Sequence, residues 1–210
     1  MIRALLLIFD PAATWERIAL AQRSVYFVVL VHLLPLLAIT VGVETYGLVR
    51  LGESRRMLSD LPATLYPVSL EAASHYAETA LVLYLAAILL GARVVQKVGN
   101  SFQAAHSYQQ ALTTVAYGFG PYFLCRMLDA LPPLNTWLCF TTGIALSLPA
   151  FYHGVPQVMR PDPARAFGLF LIIFIVMTIF MGVAHFVGVA VLHEQFLPAL
   201  QKVLSKLAPH

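Results

Sequence analysis

The chain has 210 residues, of which 60% are hydrophobic and 11% charged, with a formal net charge of +3. Soluble domains are about 25% charged, so this composition excludes an ordinary soluble fold, and the small charge excludes a nucleic-acid patch. The length suits one integral membrane domain with little left over for a soluble one.

Residues 1–23 form an entry segment. The apolar run Ala4 to Phe9 is too short for a signal peptide and ends in Asp10-Pro11. Asp caps helices and Pro suits the first helical turn, so this pair marks a helix start. Pro11, Trp15 and Ile18 then fall on one helical face, with Glu16, Arg17 and Arg23 mostly elsewhere. That pattern predicts a short amphipathic helix in the membrane interface, with Trp15 as its headgroup-level anchor. The same pattern also fits a surface helix packed on the bundle.

The first span is predicted over about Ser24 to Val49, kinked at Pro35, with Glu44 about a turn and a half from its end. A polar loop runs from Arg50 to about Glu71, with room for a short surface helix. The second span covers about Ala72 to Val95 and opens with His75 and Glu78. A basic loop from Arg93 to His106 follows. The third span, about Ser107 to Leu128, is the most polar, with Gln109, Gln110, Thr113, Thr114 and Tyr117. Its Gly118, Gly120 and Pro121 are the expected point of close helix packing and of a bend at membrane depth. A tight turn at Leu131-Pro132-Pro133 leads to the fourth span, about Leu134 to Tyr152. The loop Arg160 to Arg165 repeats the Asp-Pro-Ala start of residues 10–12. The fifth span, Ala166 to Leu192, has no Asp, Glu, Lys or Arg, and its 27 residues can cross a bilayer with some tilt. In the tail, Phe196, Leu197, Leu200, Val203, Leu204 and Leu207 with Lys202 and Lys206 suggest a second interfacial helix.

The expected fold is therefore an all-α membrane bundle of five transmembrane helices (24–193), with interfacial helices at both ends (1–23 and 194–210). With five spans, one side carries Arg3, Arg17, Arg23, Arg93, Lys97, Arg160 and Arg165, seven basic residues against six on the other. The positive-inside rule then puts the N-terminus in the cytoplasm and the C-terminus outside.

Glu44, His75 and Glu78 are the candidate intramembrane polar site. His75 and Glu78 share a face at i and i+3, and Glu44 lies at a similar depth in a first-and-second-span hairpin. One reading is a proton relay or a small His/Glu metal site; the other is three solvated groups hydrogen-bonded between helices. A bis-histidine haem needs ligands at matched depth. His32 and His185 do not match, while His185 and His75 match better in the outer half. Cys125 and Cys139 flank the third loop, open to an outer-leaflet disulfide or to buried thiols. The chain holds no GxSxG, HExxH, Walker A or Rossmann motif, so no enzyme activity, catalytic residue, cofactor or metal is expected.

Phe9-Asp10-Pro11 followed by Trp15 and Ile18 resembles the entry motif of the Yip family. So do Tyr117-Gly118-Phe119-Gly120-Pro121, Tyr152-His153-Gly154-Val155-Pro156 and a basic, Pro-containing loop with an Arg before the last span. The resemblance implies a five-span architecture with a cytosolic N-terminus. Eukaryotic members interact with Rab GTPases and carry a long cytosolic N-terminal region; the short form here is more like the bacterial relatives. The expected role is a non-enzymatic scaffold or accessory subunit in a bacterial inner membrane, with the lipid bilayer and other membrane proteins or a second copy as partners and no nucleic acid. The alternatives are a small proton, ion or lipid-like solute carrier using Glu and His, and a metal- or haem-associated subunit of a redox complex.

Overall fold

The computed structural model describes residues 2–54, 65–66, 68–102, 107–131 and 134–193. The amphipathic tail 194–210 and most of the loop between the first two spans lie outside the described residues. The chain is an all-α membrane bundle.

The entry segment is two helices, α1 (Ile2–Phe9) and α2 (Pro11–Ala21). Asp10 caps α2, its carboxylate accepting from the Ala13 amide at 3.2 Å, with Pro11 in the first turn. Ala4 and Leu7 of α1 are buried against the bundle, while Ile2, Leu5 and Phe9 are exposed. The outer face of α1 is thus apolar, not polar.

Among the described residues four helices are long and apolar enough to cross a membrane: α3 (Val25–Leu51), α4 (Leu70–Ser101), α7 (Thr136–Met159) and α8 (Ala166–Leu192). Ser24 caps α3 and Ser69 caps α4. A two-residue antiparallel ladder pairs β1 (Glu53–Ser54) with β2 (Leu65–Tyr66) in the loop between them. At 32 residues α4 is about 48 Å long, more than a hydrocarbon core needs. Arg93 and Lys97, expected in a loop, therefore lie on its last turns. No proline interrupts the sequence there to stop the helix.

Two of the long helices contain a π-helical turn beside a proline. Val28–Leu33 of α3 precedes Pro35, and Val155–Met159 of α7 contains Pro156. Proline removes a backbone donor and its ring crowds the carbonyl four residues back. The wider i→i+5 turn relieves that crowding without ending the helix.

The third expected span is a broken rod. α5 (Tyr108–Gly118) and α6 (Gly120–Arg126) meet at Phe119, and a 3₁₀ turn, Met127–Ala130, follows. α5 starts with a reciprocal cap: Ser107 Oγ accepts from the Gln110 amide, and Gln110 Oε1 accepts from the Ser107 amide. Every residue from Ala111 to Arg126 is buried except Leu124. In the four long helices only 28–39% of the most apolar window is buried. The rod is the core, and the long helices are its wall.

Close contacts with glycine hold α1, α2 and α7 to that rod. A Cβ on Gly118 would lie 2.7 Å from the Phe151 ring, and one on Gly120 would lie 2.8 Å from Ala4 Cβ. Gly154 faces the Trp15 indole, which is fully buried and packs edge-on to Tyr117. Trp15, expected at headgroup level on a helix that also fits packing on the bundle, is buried in that packing. The missing side chain at Gly154 opens a slot at α7, and the ring fills it from α2.

Candidate functional site

A charged cluster lies where α3, α4, α6 and α7 converge. Glu44 sits on α3 seven residues before its end, 2% exposed, and Arg126 is the last residue of α6, 0% exposed. The Arg126 Nε lies 2.9 Å from Glu44 Oε1. This is a charge contact without hydrogen-bond geometry, since neither atom has a directional partner. The directional bonds run through two hydroxyls. Arg126 Nη2 donates to the Tyr76 hydroxyl at 3.1 Å, and Tyr76 donates to Glu44 Oε2 at 2.8 Å. Arg126 Nη1 donates to Thr136 Oγ1 at 2.9 Å, and Thr136 donates to Asp129 Oδ2 at 2.6 Å. Nη1 also contacts Asp129 Oδ2 directly at 2.9 Å.

One guanidinium thus serves two carboxylates, with a hydroxyl bridging each pair. Its planar fork suits this role, because five donors leave in fixed directions. The arrangement is possible only because the 3₁₀ turn after α6 brings Asp129 back beneath Arg126, and Thr136 opens α7 directly after the short connection. A cavity of about 40 Å³ adjoins the cluster, with Glu44, Tyr76, Asp129 and Thr136 as its polar wall and Leu48 and Val189 among its apolar side. It is large enough for water.

Of the three expected site residues, only Glu44 is in this cluster. His75 and Glu78 occupy exposed positions on α4, and Tyr76, one residue from His75, turns inward instead. A helix advances 100° per residue, so neighbours in sequence face different ways. Tyr76, Arg126, Asp129 and Thr136 were not expected there. Arg126 carried a usable signal: it is the basic residue inside the expected boundaries of the third span, and a buried Glu44 calls for a counter-charge.

The intramembrane histidines pack on aromatic rings. His32 stacks on Tyr117 with centroids 3.9 Å apart, and His185 stacks on Phe140 at 5.0 Å with Trp137 edge-on. Cys125 and Cys139 are buried free thiols, not a disulfide. Among the described residues no group of three or more His, Cys, Asp or Glu is placed to hold a metal ion.

A Yip1 domain model matches residues 5–184. The chain belongs to the Yip1 family. No curated protein and no solved structure matches it significantly. The Yip1 match runs from α1 into α8 and takes in the whole charged cluster, from Glu44 to Thr136. It also contains the three glycine contacts at Gly118, Gly120 and Gly154. Those contacts lie within two of the stretches that resemble the family, Gly-Phe-Gly-Pro and His-Gly-Val-Pro.

Proposed function

We propose that this Yip1-family protein is a non-enzymatic membrane scaffold or accessory subunit that holds helices of other membrane proteins. The membrane is a bacterial cytoplasmic membrane, with the N-terminus inside and the C-terminus outside. The observation that carries the reading is a groove on the outer face of α3. It has a volume of about 460 Å³ and is lined by Ile39, Gly42, Val43, Tyr46, Ala130 and Leu131 among others. A Cβ on Gly42 would meet nothing within 4 Å, so the groove floor is open. In lipid there is no hydrophobic gain from bringing helices together, and association draws on close packing at small residues. A second apolar groove, about 280 Å³, lies between α4 and α8 and holds Ala86, Ala87 and Ala184. The internally partnered Glu44–Arg126 cluster supports the same role, because it braces four helices against one another.

Gentle purification from native membranes with mass spectrometry tests this. A stoichiometric membrane-protein partner is expected with the wild type. Gly42→Trp, which fills the groove from outside the core, is expected to lose that partner while the chain itself stays folded. A protein that purifies alone, or a partner that survives both Gly42→Trp and Ala86→Trp, would overturn the scaffold reading.

One observation favours a second reading, proton carriage: the cavity against Glu44 and Asp129 has room for water beside a buried and a part-buried carboxylate. In proteoliposomes that reading expects a proton flux that Glu44→Gln abolishes. Flux equal to that of empty liposomes removes it.

A further inference from the structure

At the other end of the bundle, the ends of α2, α5 and α7 line an open cavity of about 330 Å³. Its walls include Gln22, Arg23, Gln109, Gln110, Gln157 and Arg160. Arg23 and Arg160 are among its lining residues, and none of the lining residues is a carboxylate. Among the described residues neither arginine has a salt-bridge partner, and Arg23 rests over the Phe27 ring at 4.7 Å.

The walls are built, not loose. Gln109 Nε2 donates to the carbonyls of Gln22 at 3.2 Å and Arg23 at 2.9 Å, which pins the residues after α2 to the start of α5. Gln157 Nε2 donates to the Ala12 carbonyl at 3.3 Å. A carbonyl can only accept, so this bond fixes which way the amide points. It leaves Gln157 Oε1 buried with no partner, an acceptor that calls for a donor. Gln22 and Arg160 end α2 and α7 in the left-handed region, at φ 39° and 47°. That conformation is unfavourable for side-chain-bearing residues and persists where surroundings impose it. The start of α5 adds partial positive charge from its unpaired amides.

The location matters as well. α3 begins and α4 ends at this end of the bundle, so the cavity lies where these long apolar helices terminate. The segments at this end, 1–23, 93–107 and 160–165, contain seven Lys and Arg against three Asp and Glu.

We propose that this cavity binds a phosphate ester that carries a neighbouring hydroxyl group. Arg23 and Arg160 take the phosphate oxygens in charge-assisted hydrogen bonds, and Gln157 Oε1 accepts from the hydroxyl. A glycerol-type phospholipid headgroup and a soluble polyol phosphate both present this chemistry.

Native mass spectrometry of the detergent-solubilised full chain tests it, with phosphatidylglycerol, phosphatidylcholine and glycerol 3-phosphate as probes. One phosphatidylglycerol is expected to bind about tenfold more tightly than phosphatidylcholine, about 1.4 kcal/mol. Arg23→Gln with Arg160→Gln is expected to erase that preference, and Gln157→Leu to reduce it. Lys97→Gln with Arg165→Gln, which removes the same charge outside the cavity, is expected to keep it. Competition by millimolar glycerol 3-phosphate identifies a soluble ligand, and its failure to compete identifies a lipid. Equal binding of both lipids to the wild type, or an undiminished preference in the double arginine variant, would overturn the proposal. Both arginines are exposed, so their loss leaves folding intact, which an unchanged thermal midpoint verifies.

Discussion

Arg126→Met is expected to destabilise the protein by about 3–5 kcal/mol, the cost of stranding a buried charge. Buried Glu44 loses its counter-charge, and the part-exposed Asp129 loses a direct contact at 2.9 Å. Tyr76 and Thr136 still donate to the carboxylates, but a hydroxyl does not neutralise them. Glu44→Gln is expected to cost far less, about 1 kcal/mol, because Arg126 keeps Asp129 and the amide can still accept from Tyr76. The double variant, Glu44→Gln with Arg126→Met, is expected to be more stable than Arg126→Met alone. Thermal unfolding midpoints in one detergent would rank the three. If the two single variants lose equal stability, the guanidinium does not serve both carboxylates.

Trp15→Ala is expected to cost about 3–5 kcal/mol, the range for emptying a large buried aromatic site. Its indole is fully buried between Gly154 and Tyr117. An anchor facing the headgroups would leave little change in detergent, where no headgroup layer holds it. Gly154→Leu alone is expected to be severe, since the slot has no free volume and overpacking typically costs 1–3 kcal/mol or more. In the Trp15→Ala background the same leucine is expected to restore stability by refilling part of the cavity. A folding titration of the four proteins in a mixed-micelle denaturant reads this as a coupling between the two sites.

What lipid demands was legible from the residues. A span needs length and an apolar face to the bilayer, and both are local properties. So α8 runs over Ala166–Leu192, the residues expected, and Asp10 caps the helix that it was expected to start. What protein packing decides was not legible. α5 and α6 touch lipid hardly at all, so their boundaries follow from neighbours rather than from hydropathy. Trp15 was read by its chemical preference for interfaces, but a glycine on a distant helix had made room for it. Arg126 closes an apolar run, and such a residue reads as loop charge until Glu44, far away in sequence, is known to face it. His75 and Glu78 drew attention as polar residues at a span edge, and the neighbouring Tyr76, less conspicuous by charge, is the one that turns inward.

The burial of the central rod bears on the order in which the chain is made. Residues 111–126 have almost no surface left for lipid once the bundle is complete. Their best surroundings are therefore other helices, and two of these, α7 and α8, leave the ribosome later. Handed to the bilayer alone, this segment would expose Thr113, Thr114 and Arg126 to hydrocarbon, which insertion energetics disfavour. Strict span-by-span insertion does not suit such a chain. The rod is better delivered after α3 and α4 with Glu44 and Tyr76 already in place, and sheltered by the insertase until α7 and α8 arrive to close over it.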